Sequence, residues 1–186
     1  MNVGKTELPE VLLLEPKVWR DDRGAFLELW KEPVYAALGI TPGFVQDNLS
    51  HSVRGTLRGL HFQEPTPQGK LVQVLTGSVF DVVVDVRRGS PRFGRWAGVE
   101  LDGERAQQLW IPPGFAHGFY VTSEHASFLY KCTALYTPAH ERSLRWNDPA
   151  LAIRWPIVSG VTPLVSPKDA AAPTLAASEI LPRYEG

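Results

Sequence analysis

Apolar and polar residues alternate along most of this chain in the manner of β-strands. In the stretch 78–86 (SVFDVVVDV), the even-numbered positions from Phe80 to Val86 form one apolar face. The odd-numbered positions set two aspartates, Asp81 and Asp85, between valines on the other face. Further strands are predicted at 44–50, 70–77, 97–103, 108–113, 118–123 and 127–136.

Turn signals separate these segments at short intervals. Thr76-Gly77, Asp102-Gly103 and Pro113-Gly114 fall where one predicted strand gives way to the next. Strands that recur at this spacing, without a helix after each one, favour a sandwich or barrel over βαβ units. The pattern therefore predicts a mainly β fold.

Helical patterns are few and short. Residues 32–38 (EPVYAAL) form the one good early helix candidate, which Gly39 would end. The tail after Trp155 is rich in Pro and Ala, and we expect it to hold one short helix and wrap around the body. Because the chain shows no repeat, low-complexity segment or linker, we expect a single domain over 1–186.

Composition and charge restrict the classes of function. The chain has 186 residues, 44% of them hydrophobic, which is typical of a globular domain with a sizeable core. Its formal net charge of −1 provides no bulk attraction for nucleic acid or an anionic membrane, so neither partner is expected. Cys132 is the only cysteine, which excludes an intrachain disulfide or a cysteine cage for zinc. The apolar run 11–14 is too short for a signal core or membrane span, and we expect a cytoplasmic protein.

The segment 57–70 (LRGLHFQEPTPQGK) places an arginine, a histidine and a lysine around a short apolar strand. Arg58 lies between Leu57 and Leu60, and a buried guanidinium needs an anionic partner. No acidic residue lies between 48 and 63, so that partner is either a distant carboxylate or a ligand such as phosphate. The alternative is that Arg58 is a surface residue of an edge strand.

His61 and Lys70 suit a proton transfer. On a regular strand His61 would face away from Arg58, but Gly59 between them could allow a bulge that turns both side chains into one cavity. Neutral histidine accepts a proton near pH 7, and lysine stabilises an oxyanion that develops during such a step. A hydrogen-bonded core histidine without a catalytic role is the structural alternative.

A second histidine, His117, ends a Pro-x-Gly-x-x-His stretch at 112–117 that resembles the second motif of the cupin barrels. The metal-binding cupins carry His-x-His in their first motif, where this chain has His61-Phe62-Gln63. Two imidazoles are too few protein ligands for a usual first-row metal site. The pattern therefore favours a cupin-like barrel without a metal.

Three more charged residues have both a structural and a functional interpretation. Arg23 and Lys168 could extend a cationic diphosphate site, or each could lie on a solvated turn. Asp169 could cap the N-terminus of a short helix. Its functional alternative is to hold His61 in one tautomer and raise its basicity.

Two tyrosines, Tyr130 and Tyr136, fall in the predicted strand 127–136. Because their numbers share parity, they would lie on one face of that strand. They could pack in the core with their hydroxyls at its rim. Alternatively, one could be a proton donor and the other an aromatic platform for a base.

Across nearly its whole length the sequence resembles the dTDP-4-dehydrorhamnose 3,5-epimerases, cupin-like β proteins of nucleotide-sugar biosynthesis. The resemblance implies a cupin-like jelly roll or double-sheet β-barrel, and neither cofactor nor metal. It implies epimerisation of dTDP-4-dehydro-6-deoxy-D-glucose at C3 and C5 to dTDP-4-dehydro-L-rhamnose. It also implies a homodimer in which the N-terminal segment, about 1–30, completes the partner's site. The blocks that carry it are EPKVWRDDRGAFLELW, FVQDN, LRGLHFQ, QGKLVQVLTGSVFDVVVDVRRGSPRFGRW, QLWIPPGFAHGF, FLYKC, RWNDP and SPKDAAAP.

Residue by residue, the same resemblance implies roles in catalysis and substrate binding. The implied base is His61 with Asp169 as its dyad partner, the acid is Tyr130, and Lys70 belongs to the catalytic set. The implied contacts are Lys70 and His117 with the keto oxygen, Arg23, Arg58 and Lys168 with the diphosphate, Tyr136 with thymine, Gln46, Asp47, Asn48 and Glu28 with the nucleotide, and Glu141 as a further binding position.

Three other functions are compatible with parts of this pattern. A mono-epimerase that inverts only C3 or only C5 would share nearly every residue named above. A metal-dependent cupin enzyme is disfavoured by the missing His-x-His. A sugar-nucleotide binding protein without activity would need neither the base nor the acid.

Overall fold

A computed structural model describes residues 1–41, 43–157 and 160–186, and most of its regular structure is antiparallel β. Two short α-helices and two 3₁₀ turns, Pro138–His140 and Leu175–Ala177, accompany the strands. The elements are β1 (Asn2–Lys5), β2 (Leu12–Glu15), β3 (Val18–Asp21), β4 (Gly24–Leu27), α1 (Glu32–Ala36), β5 (Gln46–Val53), β6 (Thr56–Gln63), β7 (Lys70–Thr76), β8 (Ser78–Asp85), β9 (Trp96–Asp102), β10 (Gln108–Ile111), β11 (Phe115–Val121), β12 (His125–Cys132), β13 (Glu141–Ser143), β14 (Leu164–Val165) and α2 (Pro167–Ala170).

The strands form two large sheets and one separate hairpin. The first sheet has the order β1-β2-β10-β7-β12-β5, and the second has the order β13-β6-β11-β8-β9. The short β14 pairs in parallel with β6, and β3 pairs only with β4. Because the order of strands in each sheet departs from their order in the sequence, both sheets depend on crossovers. This double-sheet architecture confirms the predicted mainly β, cupin-like fold.

The main core contains side chains from both sheets. Val72 and Phe128 of the first sheet are fully buried in one cluster with Val79 and Val83 of the second. Phe119 of β11 stacks on Phe128 with 4.2 Å between ring centroids, which joins the two sheets directly. Burial of these side chains from water is the largest favourable contribution to holding the sheets together.

The second sheet is also covered on its other face, by the C-terminal part of the chain. Val82 and Val84 of β8 form a second cluster with Leu60, Leu151 and Leu175. The alternation predicted for 78–86 is therefore confirmed, with one face of β8 toward the other sheet and one toward the tail. The tail wraps around the body as expected. It contains the short helix α2 and a 3₁₀ turn.

The strands predicted at 44–50, 70–77, 97–103 and 108–113 are present, with ends that differ from the prediction by up to three residues. The predicted strand 118–123 begins earlier, at Phe115, and the helix predicted over 32–38 ends at Ala36. Gly39 follows that helix with a φ of +80°, a conformation that suits glycine. The prediction of one strand over 127–136 was wrong, because β12 ends at Cys132. Beyond that point, glutamine side chains bond the backbone in place of a neighbouring strand.

Gly59 brings β6 and β11 into close contact beside the site. A Cβ at this position would lie 2.5 Å from the Cα of Gly118, closer than real side chains approach. The pairing of the two strands also shifts here, since His117 lies opposite His61 and Phe119 lies opposite Arg58. The shift leaves one extra residue in β6, as the predicted bulge required.

No helix in the described parts of the chain is long and apolar enough to cross a membrane.

Candidate active site

Most of the predicted site residues line one cavity of about 500 Å³. Its walls come from β5, β6, β7, β11 and β12, with α2 and the segment around Tyr136 at the rim. This volume lies within the range of about 300–1,000 Å³ that is usual for small-molecule sites. The predicted residues that line it are Gln46, Asn48, Arg58, His61, Lys70, His117, Tyr130, Tyr136, Glu141, Lys168 and Asp169.

His61 and Asp169 form a pair at the cavity wall. The distance between His61 Nε2 and Asp169 Oδ1 is 2.6 Å, and Asp169 is 3% exposed. The backbone N–H of Gly59 donates to the other carboxylate oxygen at 3.3 Å. Burial alone would raise the pKa of Asp169, but the bonds from His61 and Gly59 lower it below its ordinary value. With Nε2 donating to this carboxylate, the lone pair of the imidazole is on Nδ1, where it can accept a proton.

Asp169 reaches His61 from α2, far along the chain. The cap of that helix is Ser166, whose hydroxyl accepts from the backbone N–H of Asp169 at 3.1 Å. The interpretation of Asp169 as an N-cap is therefore wrong. Because Ser166 has taken that role, the Asp169 carboxylate is available to the imidazole.

His117 and Lys70 lie near a second buried aspartate, Asp81. The Nε2 atom of His117 lies 2.8 Å from Asp81 Oδ2, and Asp81 is fully buried. Asp81 Oδ1 has no hydrogen-bond partner among the residues that the structure describes. Burial raises the pKa of Asp81, while His117 and Lys70 oppose that rise. Burial also lowers the pKa of Lys70, so the ammonium is held where its charge is poorly solvated.

Asp81 does not line the cavity but bonds to His117, which does, and the sequence pattern did not identify this partner. A signal was present, since β8 sets this carboxylate on the same face as the core residues Val79 and Val83. A buried carboxylate among valines needs a polar partner. The sequence alone did not show that the partner would be His117 on β11.

Tyr130 is half-buried on β12, with its ring against the core residue Phe128. Burial raises the pKa of its hydroxyl, and the nearby Arg58 opposes that rise. The tyrosine therefore keeps its proton at neutral pH. A hydroxyl that retains its proton in a cavity can act as an acid once a strong base forms beside it.

Arg58 lies at the exposed side of the cavity, so the premise that its guanidinium is buried was wrong. Both Nε and Nη2 donate to the hydroxyl of Ser52 at 3.2 Å. No carboxylate in residues 1–41, 43–157 and 160–186 forms an ion pair with it. Its positive charge therefore remains available to an anionic ligand.

Tyr136, Glu141 and Lys168 are linked at the rim. The Tyr136 hydroxyl donates to Glu141 Oε2 at 2.7 Å, and the same oxygen pairs with the Lys168 ammonium. These bonds lower the pKa of Glu141, although its partial burial acts in the opposite direction. Tyr136 lies in a loop after β12, so the prediction that it shares a strand face with Tyr130 was wrong. Both rings nevertheless line the same cavity.

The described residues hold no cluster of three or more His, Cys, Asp or Glu side chains that could bind a metal ion. The two histidines of the cavity are each bonded to a different aspartate. We keep the absence of a metal cofactor as a prediction.

Residues 5–177 match the family model described as dTDP-4-dehydrorhamnose 3,5-epimerase. The chain is 50% identical to the dTDP-4-dehydrorhamnose 3,5-epimerase of Pseudomonas aeruginosa, over 98% of this chain and all of that protein. It is 53% identical to the epimerase of Salmonella typhimurium, over 94% of this chain and 96% of that protein.

The chain belongs to the dTDP-4-dehydrorhamnose 3,5-epimerase family.

Solved structures of this family superpose closely on the chain. The crystal structure of dTDP-6-deoxy-D-glucose-3,5-epimerase from Legionella pneumophila, in complex with dTDP-4-keto-L-rhamnose, matches with a TM-score of 0.96 at 53% identity. That match covers 100% of this chain and 99% of the other. A 3'-monoepimerase from Streptomyces bikiniensis in complex with dTDP-quinovose matches with a TM-score of 0.90 at 38% identity, covering 97% of this chain and 92% of the other.

Three residues that the family resemblance assigned to the substrate site lie outside the cavity of this chain. Asp47 pairs with Lys131 at 2.8 Å, because the alternation along β5 turns it away from its neighbours in the cavity. Arg23 lies at the turn of the β3–β4 hairpin with its side chain 89% exposed. Glu28 pairs with Lys31 at 3.3 Å. An epimerase site built from one chain therefore lacks these three groups.

Proposed function

We propose that this cavity performs the epimerisation with His61 as base, Tyr130 as acid, and Lys70 and His117 at the keto oxygen. The reaction itself, inversion of dTDP-4-dehydro-6-deoxy-D-glucose at C3 and C5 to dTDP-4-dehydro-L-rhamnose, is that of the family to which the chain belongs. The observation that carries the assignment is the His61–Asp169 pair at 2.6 Å in a cavity that Tyr130 also lines.

The 4-keto group makes the protons on C3 and C5 acidic. His61 Nδ1 takes one of these protons, and the electron pair of the C–H bond moves through the enolate to the keto oxygen. The Lys70 ammonium and His117 stabilise that oxygen, because both groups are already in place in the cavity wall when the charge develops. Tyr130 then returns a proton to the carbon from the opposite face, which inverts the centre.

The charged rim of the cavity supports binding of the nucleotide end. Arg58 carries a positive charge without a paired carboxylate among the described residues, and Lys168 shares Glu141 with Tyr136. Guanidinium and ammonium groups suit diphosphate oxygens, and the aromatic ring of Tyr136 suits stacking with thymine. Binding energy from this end would hold the hexose between base and acid.

Incubation with dTDP-4-dehydro-6-deoxy-D-glucose in D₂O tests the reaction directly. We expect NMR to locate deuterium at both C3 and C5 of the product, because each inversion exchanges one carbon-bound proton with solvent. Deuterium at a single centre would instead identify a mono-epimerase. Its absence from both would leave only a binding function.

Substitution of Arg58 tests the diphosphate assignment. Arg58→Ala should weaken dTDP binding by about 1.5–3 kcal/mol, as for a lost charge-assisted contact. Isothermal titration calorimetry with dTDP measures the change. Arg54→Ala is the matched control, because Arg54 is exposed in the turn just before β6 and does not line the cavity. Equal affinity of wild type and a folded Arg58→Ala protein would contradict the assignment.

We also propose a homodimer in which the β3–β4 hairpin, Val18–Leu27, completes the partner's site. Because β1 and β2 pair within the chain's own first sheet, the part of residues 1–30 that we propose to reach the partner is the hairpin. On the hairpin Trp19 is 43% exposed and Phe26 is 68% exposed, and such aromatic surface favours a protein contact. The position of Arg23, away from its own cavity, supports the same proposal.

Mixed dimers test whether Arg23 acts in the partner's site. An Arg23→Ala chain should bind substrate weakly, and a His61→Asn chain should be inactive. A dimer of one of each would restore one intact site, with its His61 from the first chain and its Arg23 from the second. Random reassociation of equal amounts of the two denatured chains gives half mixed dimers, so about a quarter of the wild-type number of sites should be intact, measured as activity at low substrate. No recovery would mean that Arg23 does not act across the dimer, and sedimentation would report whether a dimer forms.

We further propose a cytoplasmic location, which suits a chain whose only cysteine, Cys132, is a buried free thiol.

A further inference from the structure

The segment that carries Tyr136, between β12 and β13, is ordered without being part of a sheet. Leu135 is 64% exposed and Tyr136 is 47% exposed, so apolar burial does little to hold these residues. Backbone groups without a strand partner must find other hydrogen bonds or water. In this segment the partners are glutamine side chains.

Three glutamines, Gln46, Gln63 and Gln68, bond four consecutive residues of the segment, and we call them the glutamine clamp. Each one also lines the cavity. The bonds run from Gln68 Nε2 to the carbonyl of Ala134 at 2.8 Å, from Gln63 Nε2 to the carbonyl of Leu135 at 3.2 Å, from the N–H of Tyr136 to Gln46 Oε1 at 2.8 Å, and from the N–H of Thr137 to Gln63 Oε1 at 2.7 Å.

Gln63 is the central member of the clamp. It is 3% exposed, and it bonds the backbone on both sides of Tyr136. Its amide group also donates to the carbonyl of Thr66 at 3.1 Å. Both Nε2 hydrogens are thus used within the protein, and its oxygen already accepts one bond. Gln63 is therefore poorly suited to contact a ligand and well suited to fix the loop.

The Tyr136 side chain is held at both of its ends. The clamp fixes the backbone, and Glu141 accepts from the hydroxyl at 2.7 Å. A half-exposed ring that is fixed at both ends loses little conformational freedom when a flat group stacks on it. Preorganisation of this kind increases affinity without adding a contact to the ligand.

We propose that Gln63 is a positioning residue for recognition of the nucleotide base, acting through Tyr136. This inference rests on the proposed function, in which thymine stacks on Tyr136. Gln63 stands where the metal-binding cupins have the second histidine of their first motif. In this chain that position holds a loop in place.

Binding of dTDP and of inorganic pyrophosphate to Gln63→Met tests the proposal. Methionine has nearly the volume of glutamine but can neither donate to the Leu135 carbonyl nor accept well from Thr137. We expect dTDP affinity to fall about tenfold, within the range for coupled neighbours, while pyrophosphate affinity stays at the wild-type value. Pyrophosphate lacks the base, so general damage to the cavity would weaken both ligands.

The matched control is Gln107→Met. Gln107 is also buried, and it donates to Glu15 at 2.9 Å, away from the cavity. The Gln107→Met substitution should lower the thermal unfolding temperature of the protein without changing the ratio of dTDP affinity to pyrophosphate affinity. If Gln63→Met does not fold, Gln68→Met releases only the Ala134 carbonyl and should give a smaller change of the same kind.

A double-mutant cycle with Tyr136→Ala tests the role of Gln63 separately from the stacking of thymine on Tyr136. If Gln63 acts through Tyr136, Gln63→Met should cause no further loss of dTDP affinity in the Tyr136→Ala protein. A full additional loss, equal losses for both ligands, or wild-type dTDP binding by Gln63→Met would overturn the role of Gln63. Normal dTDP binding by Tyr136→Ala alone would instead overturn the stacking of thymine on Tyr136, and with it this inference.

Discussion

Replacement of His61 by Asn should stop exchange of both the C3 and the C5 protons with solvent, while replacement of Tyr130 by Phe should not. His61 is the only proposed base, so without it no enolate forms. The Tyr130→Phe protein keeps the base, Lys70 and His117, so deprotonation continues. Its base can return a proton only to the face from which it came. Loss of a general acid or base typically costs about 10²–10⁴-fold in rate.

Deuterium incorporation and product configuration, both read by NMR, separate the two variants. Asp169→Asn is the graded control, because its amide can still contact His61 but no longer supports an imidazolium with a negative charge. We expect it to slow exchange without abolishing it. A His61→Asn protein that still exchanges both protons would disprove the mechanism. A Tyr130→Phe protein that inverts both centres at the full rate would show that water or another residue is the acid.

Replacement of Lys70 by Met should lower kcat by about 10²–10³-fold, comparable to the loss of one oxyanion donor. No carboxylate of the described residues lies within ion-pair distance of the ammonium, and the side chain is partly buried in the cavity wall. Its field therefore acts on the developing enolate. Because Lys70 does not belong to the diphosphate set, dTDP affinity should change little. Steady-state kinetics and calorimetry on the same variant measure the two effects.

The pH dependence of the wild-type rate provides an independent check on Lys70. Its pKa is lowered from the ordinary 10.5, so the ammonium loses its proton, and activity falls, as the pH rises through that lowered value. Burial raises the pKa of Tyr130 above its ordinary 10.0, so its hydroxyl keeps its proton to a higher pH than an exposed tyrosine would. We expect an alkaline decline that begins below pH 10.5 and is missing in Lys70→Met. The same decline in both proteins would assign it to another group.

Local pattern was a good guide to the strands of this protein. Alternation in 78–86 correctly placed one face of β8 toward the other sheet and the other under the tail. The presence of Gly59 correctly indicated the bulge in β6 that lets Arg58 and His61 line the same cavity. The alternation of side chains along Gln46, Asp47 and Asn48 could also have shown that Asp47 faces away from the cavity that its two neighbours line. The family resemblance had included it in the binding set.

Pairings between distant parts of the chain could not be read from local pattern. Tyr130 and Tyr136 are six positions apart and would lie on one face of a continuous strand. The strand ends at Cys132 instead, because the glutamine clamp makes the backbone hydrogen bonds that another strand would have made. Arg58 is flanked by leucines, yet it is exposed, since exposure depends on what covers β6 and not on its neighbours in the sequence.

The order of residues along the chain was enough to predict the period-2 strands, the turns between them, and the acidic, basic and aromatic groups that are present. These properties depend on backbone sterics and on the alternation of side chains along a strand, both of which act over a few residues. The contacts of Asp169 with His61 and of Asp81 with His117 arise from the folded arrangement of the elements and could not be read from local pattern. The first contact joins residues 108 positions apart and depends on how α2 lies against β6. The second joins residues 36 positions apart and depends on how β11 lies beside β8. The chemistry of the cavity is therefore encoded in residue types but assembled by packing.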